Sequence, residues 1–143
     1  MTPTDAAYAM VRNAEGLRLV AYRDSGGVWT IGYGHTRGVT SGMTCSAAEA
    51  EAWLEADMAE AVMGVNRLAL PATQCQFDAL CSFTFNEGVG NLSGSHLLQY
   101  HRAGDFADAA HAFSNWVFCN GEILPGLVKR RAAEAHLYLG GGS

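Results

Sequence analysis

Between residues 15 and 36 the chain reads EGLRLVAYRDSGGVWTIGYGHT, and a helix cannot run through it. Asp24-Ser25 and the glycines at 26, 27, 32 and 34 interrupt any 3.6-residue period, while Val28-Trp29-Thr30-Ile31 is β-prone. The run predicts a small antiparallel sheet or meander over 17–37. It places Glu15 at the end of a preceding helix, Asp24 in a turn and Thr30 on the next strand. Gly32, Gly34 and Gly38 leave the backbone open to close approach by a ligand.

The flanking patterns are helical. Thr4 as N-cap and Asp5 in the first turn open a helix over 4–14. Ala7, Met10, Val11 and Ala14 form its buried stripe, and Gly16 ends it. From about Ser46 the pattern is helical to the end. Ser46 and Glu49 make the capping box of a long helix with Trp53, Leu54, Met58, Ala61, Val62 and Val65 facing inward. Pro71 breaks it. An apolar helix over 73–86 takes the centre, and shorter helices fit 95–103, 105–114 and 126–139. The order of elements gives an α+β, mainly helical fold: a small N-terminal sheet lobe and a larger C-terminal helical lobe joined by the long helix. At 143 residues the chain is one domain over 1–139. Its lobes lie at about 12–60 and 61–139, with the first helix packed on the second. The closing GGGS, 140–143, reads as a flexible tail.

Apolar residues are 49% and charged residues 16% of the chain, which excludes a disordered class. The net charge of −5 argues against nucleic acid as partner. Lys129, Arg130 and Arg131 read as a basic face of the last helix, partly paired with acids. No apolar run is long enough for a bilayer. Asp5, Arg12 and Glu15 interrupt the N-terminal apolar residues, so no secretory signal is expected and the chain is placed in the cytosol. Cys45, Cys75, Cys81 and Cys119 show no C-x-x-C or zinc spacing and are expected to be free and mostly buried. No metal or cofactor is implied.

Taken singly, Glu15, Asp24 and Thr30 are ordinary helix-end, turn and strand residues. Together around a glycine-rich hairpin they meet a specific need: breaking a glycosidic bond takes a proton on the leaving oxygen and a second carboxylate near the anomeric carbon. A free glutamic acid titrates near pH ~4.3, so an acid at neutral pH needs desolvation, here expected from Leu17, Leu19 and the helical lobe. Asp24, in a polar turn, stays ionised. Thr30 is placed to bond a water held by Asp24. His35 is read as orienting loop backbone or a neighbouring carboxylate, and His96, His101, His111 and His136 as surface or packing residues. No G-x-S-x-G is present, and the 88–94 glycine stretch lacks the Walker lysine.

The 15–36 run resembles the catalytic signature of the phage-type lysozymes, the endolysins of glycoside hydrolase family 24. Two further blocks agree in order: FTFNEGVG at 83–90 and LPGLVKRRAAE at 124–134. The resemblance covers about residues 8–139 and implies a lysozyme-like fold. It implies that Glu15 is the general acid, Asp24 the second catalytic carboxylate and Thr30 a water-placing hydroxyl. His35 would sit beside the site. Arg131 would pair with the catalytic glutamate, with Arg130 a close competitor. Gly34, Thr36, Phe85, Asn86 and Ser95 would line the substrate cleft. The implied substrate is peptidoglycan, cut between N-acetylmuramic acid and N-acetylglucosamine with inversion, across carboxylates roughly 6.5–9.5 Å apart. The sequence has neither a signal-anchor nor a cysteine within 15–36, so it resembles the soluble branch. That branch implies a monomer without stable membrane association, released by a separate holin to lyse the host from the periplasmic side. A lytic transglycosylase and a non-catalytic cell-wall-binding module are the alternatives.

Overall fold

Helix α1, Asp5–Glu15, follows an extended Thr4. The Thr4 hydroxyl does not cap the helix; it donates to Asp78, and the Thr4 N–H donates to the same carboxylate at 3.0 Å. This bond pins the helix start to the centre of the molecule. Only Ala7 and Val11 of the expected stripe are buried, while Met10 is half-buried and Ala14 exposed. Gly16, at φ +69°, turns the chain out of the helix. The computed structural model describes residues 1–141; Gly142 and Ser143, the end of the expected tail, lie outside the described residues.

Strands β1 (Arg18–Arg23) and β2 (Trp29–Gly32) pair antiparallel, with Tyr22 opposite Thr30, Arg23 opposite Trp29, and an irregular register between Arg18 and Tyr22. The sheet leans on α2 (Ala47–Arg67) at Gly32, where a Cβ would stand 3.1 Å from that of Ala50. Gly32 at φ +66° is thus required twice, by conformation and by space. The Ser46–Glu49 capping box forms as expected. Leu54, Met58, Ala61 and Val65 of α2 face the core, whereas Trp53 and Val62 are only half-buried.

Helix α3, Gln74–Glu87, is capped by a second box, Thr73 with Gln76, and is buried without interruption from Gln76 to Thr84. Such a helix must be central, and α1, α2 and the C-terminal helix over Pro125–Tyr138 all pack on it. Short helices α4 (Val89–Ser93), α5 (His96–Ala103) and α6 (Phe106–Ala112) and a 3₁₀ turn at Phe113–Asn115 follow. The pattern is not helical to the end. Strands β3 (Phe118–Cys119) and β4 (Glu122–Ile123) form a tight hairpin before α7, Pro125–Tyr138. Its turn, Asn120-Gly121, has φ of +52° and +83°, as a primed two-residue turn requires.

Four free thiols are present, but only Cys81 is buried; Cys45, Cys75 and Cys119 are partly exposed, against expectation. Burial pushes the Cys81 thiol up to about 12. His101 is a packing residue: it bonds the Tyr138 hydroxyl at 2.6 Å and the Pro71 carbonyl at 2.8 Å. Among the described residues no helix is long and apolar enough to cross a membrane.

The core centres on Phe83, fully buried and edge-on to Phe113 at 5.8 Å and Trp116 at 5.5 Å. Truncation there removes both aromatic contacts and leaves a cavity. Phe83→Ala is expected to cost about 3–5 kcal/mol in urea unfolding; a loss under 1 kcal/mol contradicts this packing.

Candidate active site

Glu15 occupies the last turn of α1, where the helix dipole disfavours an anion. Its carboxylate is held by Arg130 of α7, Nη1 to Oε1 at 3.3 Å, with the arginine side chain only 4% exposed. Arg130, not Arg131, is therefore the partner. The two neighbours point about 100° apart around α7, and Arg131 goes instead to Glu87, Glu134 and Asn86. Leu17 and Leu19 do not cover Glu15; both are exposed on the hairpin. The cover comes from Gly34, at φ +74°, whose α-carbon sits so close to the Glu15 carboxylate that any Cβ would overlap it.

Asp24 turns the hairpin. One oxygen, Oδ1, accepts from the N–H groups of Gly26 at 2.9 Å and Val28 at 2.8 Å. Two backbone donors fix the carboxylate and leave Oδ2 without a hydrogen-bond partner among the described residues. Thr30, buried on β2, donates its hydroxyl proton to the Val28 carbonyl at 2.8 Å. Its oxygen can then act only as an acceptor. Tyr22 stands opposite Thr30 across the hairpin. Burial pushes its phenol up, and Glu15 and Asp24 both push it the same way against Arg18.

His35 bonds Asp57 of α2 through Nδ1 at 2.8 Å and stacks on Trp53 with ring centroids 4.7 Å apart. His35 is expected to orient loop backbone or a neighbouring carboxylate, and the carboxylate it meets is that of Asp57. An open cleft of about 270 Å³ runs beside it, lined by Gly34, Thr36, Asp57, Thr84, Phe85 and Gly88. Gly34, Thr36 and Phe85 thus stand where a ligand could lie. Ser95 does not: it is a buried cap of α5, its hydroxyl accepting from the Leu98 N–H and donating to the Leu92 carbonyl. Asn86 is exposed beyond these lining residues and receives Arg131 at 2.8 Å.

Behind the cleft lies a buried charge cluster. Glu134 is wholly buried; it accepts from the Ser82 hydroxyl at 2.6 Å and pairs with Arg131 at 2.8 Å and Arg130 at 3.4 Å. Burial pushes its carboxyl up, while Arg131 and Arg130 pull it back. With two guanidiniums and a hydroxyl against it, we assign it to the ionised form. Arg130 and Arg131 are thus paired with acids as expected, but buried rather than on a face of the helix. Sequence reading missed Glu134, Ser82, Asp57, Trp53 and Tyr22. Glu134 alone carried a local signal, standing four residues after Arg130 and three after Arg131. Among the described residues no group of three or more His, Cys, Asp or Glu side chains is arranged to hold a metal ion.

The phage lysozyme family profile matches residues 12–134. An endolysin of Acyrthosiphon pisum secondary endosymbiont phage 1 is 39% identical over 140 residues, covering 94% of this chain and 96% of its own length. An endolysin of Bacillus phage B103 is 42% identical over the whole chain, which spans 56% of that longer protein. Among solved structures, the muramidase domain of SpmX from Asticaccaulis excentricus superposes with a TM-score of 0.86 at 38% identity, covering 96% of this chain and 97% of that one.

Two measurements test this geometry. Gly34→Ala is expected to push the Glu15 carboxylate off Arg130 in a crystal structure, and to cost about 1 kcal/mol through the positive φ; an unmoved Glu15 counts against the packing. Burial also pushes the Glu87 carboxyl up, more than Arg131 and Arg130 pull it down. The folded state then holds this proton longer than the unfolded chain, so the group's contribution to stability falls as pH rises above the unfolded value near ~4.3. Relative to the parent chain, Glu87→Gln should gain in melting temperature between pH 4 and pH 7. A constant difference across that range refutes the shift.

Proposed function

The chain belongs to the phage lysozyme family, and from that premise we propose that it hydrolyses the β-1,4 bond between N-acetylmuramic acid and N-acetylglucosamine, with Glu15 and Asp24 as its two carboxylates. The reading is supported above all by one observation: Glu15, at the end of α1, lies against Gly34 of the open cleft with Arg130 on its carboxylate, while the hairpin turn fixes a second acid, Asp24, by two backbone donors.

In this mechanism Glu15 gives its proton to the leaving glycosidic oxygen. The carboxylate that remains is the form Arg130 is placed to hold. Asp24, fixed by two backbone donors at Oδ1, presents Oδ2 to a water and takes its proton as the water oxygen bonds the anomeric carbon. Thr30 helps to place that water by accepting from it, since its own proton is engaged by Val28. Attack from the face opposite the leaving group inverts the anomeric carbon. Gly34, Thr36 and Phe85 line the sugar path, and His35, held by Asp57 and Trp53, stiffens the wall beside it. Two lobes joined by α2 flank the cleft. The same proposal has a monomer that waits in the host cytosol and reaches the wall through a holin pore.

A lytic transglycosylase needs one acid and no water-directing carboxylate. The doubly anchored Asp24 beside an acceptor hydroxyl favours hydrolysis. The intact pair of acids likewise stands against a non-catalytic wall-binding module.

The experiment is digestion of purified peptidoglycan with mass analysis of the fragments. Each cut is expected to add one water and expose a reducing muramic acid end, and Glu15→Gln to lower the rate at least ~100-fold with only a small change in melting temperature. Anhydro products point to the transglycosylase; near-parental turnover by Glu15→Gln overturns the assignment.

A further inference from the structure

The Glu15–Arg130 contact is not self-sufficient. Arg130 is buried beside a second buried arginine, and two adjacent guanidiniums repel each other where no water screens them. Their common counter-ion is Glu134, which no surface reaches and which belongs to neither the cleft nor the hairpin. We propose that Glu134 is a positioning residue for the reaction: by neutralising and anchoring Arg130 and Arg131 together, it sets how strongly Arg130 grips Glu15.

The groups around Glu15 make the balance explicit. From α7 it faces Arg130, with Arg131 and Glu134 behind. From the end of α3, Glu87 faces Arg131. From β1 comes Tyr22, which carries Arg18 over its ring at 4.3 Å. The Gly34 turn brings backbone alone against the carboxylate. Among the described residues, Glu134 is the one anion that touches both arginines. Ser82, donating at 2.6 Å from α3, holds that anion in register with the core helix. Without the Glu134 charge, Arg130 would turn its full field on Glu15, favour the carboxylate and withhold the proton the leaving oxygen needs. Arg131 would also be released to compete for the same acid. The spacing of Arg130, Arg131 and Glu134 fits the task, since residues three and four apart on a helix share one face.

This inference rests on the proposed role of Glu15, and its test separates the two. Glu134→Gln keeps the shape and the Ser82 partner and deletes only the charge. It is expected to lower kcat several-fold with KM little changed, and to move the alkaline limb of the pH–rate profile down by about one unit, a tenfold loss of protonated acid at fixed pH. The double variant Glu134→Gln/Arg131→Met removes one cation with the anion and puts an apolar side chain in place of the guanidinium that lies 5.0 Å over the Phe83 ring. It is expected to recover most of the limb position and of kcat. A purely structural role predicts the opposite, because two changes in one buried cluster damage packing more than one. A ¹³C-carboxyl titration of Glu15, identified by its loss in Glu15→Gln, reads the same shift and its reversal without turnover, so an inactive parent chain sinks the Glu15 role while this proposal is still decided. A single variant that fails to fold beside a double variant that folds also supports charge balance. The proposal is overturned if Glu134→Gln titrates and turns over like the parent, or if the double variant is no better than the single in folding, titration or kcat.

Discussion

An acid at the wrong end of a helix organises this molecule. Glu15 closes α1, where the unpaired carbonyls already concentrate negative charge. A carboxylate there needs a cation, and at this place in the fold the cation comes from α7 as Arg130. A buried arginine in turn needs its own anion, which is Glu134, and that buried anion needs a donor, which is the Ser82 hydroxyl on α3. Each step is forced by the desolvation of the one before it. The result is a chain of alternating polarity from the cleft into the central helix. It ties together the three helices α1, α3 and α7 that form the body of the protein.

The hairpin around Asp24 is built from backbone bonds instead of charge pairs. Asp24 is aimed by the N–H groups of Gly26 and Val28, and Thr30 is aimed by the Val28 carbonyl. Both therefore depend on one turn of the β1–β2 hairpin. The hairpin meets α2 through the close approach of Gly32 to Ala50. Gly34, two residues on, admits the Glu15 carboxylate to the same neighbourhood. The glycines do two separate jobs here: one lets the sheet reach α2, the other lets the acid reach the sheet.

What could be read from the sequence was what is local. The two caps at Ser46 and Gly16, the helix over 73–86 and the hairpin around Asp24 follow from neighbouring residues, and the structure places them within a residue or two. The Thr4 cap failed because a partner 74 positions away, Asp78, draws its hydroxyl away from the helix N–H groups. Ser95 looked like a cleft residue, but helix α5 claims its hydroxyl. The choice between Arg130 and Arg131 turned on the rotation of α7, which no local pattern fixes when both neighbours are arginines. The pairing of His35 with Asp57 spans 22 residues and two elements, and only the packed fold brings it together. The β3–β4 hairpin had a legible turn in Asn120-Gly121, yet its strands of two residues are too short to show alternation.

The surroundings of the two acids differ in burial, and the proposed reaction assigns a different task to each. Glu15 is anchored to a body of aromatic and apolar packing through side chains that are almost wholly buried. Asp24 rides on a hairpin whose Leu17, Leu19, Val20 and Val28 are exposed and which has little core of its own. Elements with few buried contacts open at lower free energy than the core they border. A proton donor must be held within a hydrogen bond's length of one oxygen, and it is placed on the rigid side. A carboxylate that directs water must let a thick sugar strand enter before it closes distance, and it is placed on the compliant side. The division follows from the sequence itself: buried arginines can be used only where a core surrounds them, and a glycine-rich turn can aim a carboxylate only where the chain stays near solvent.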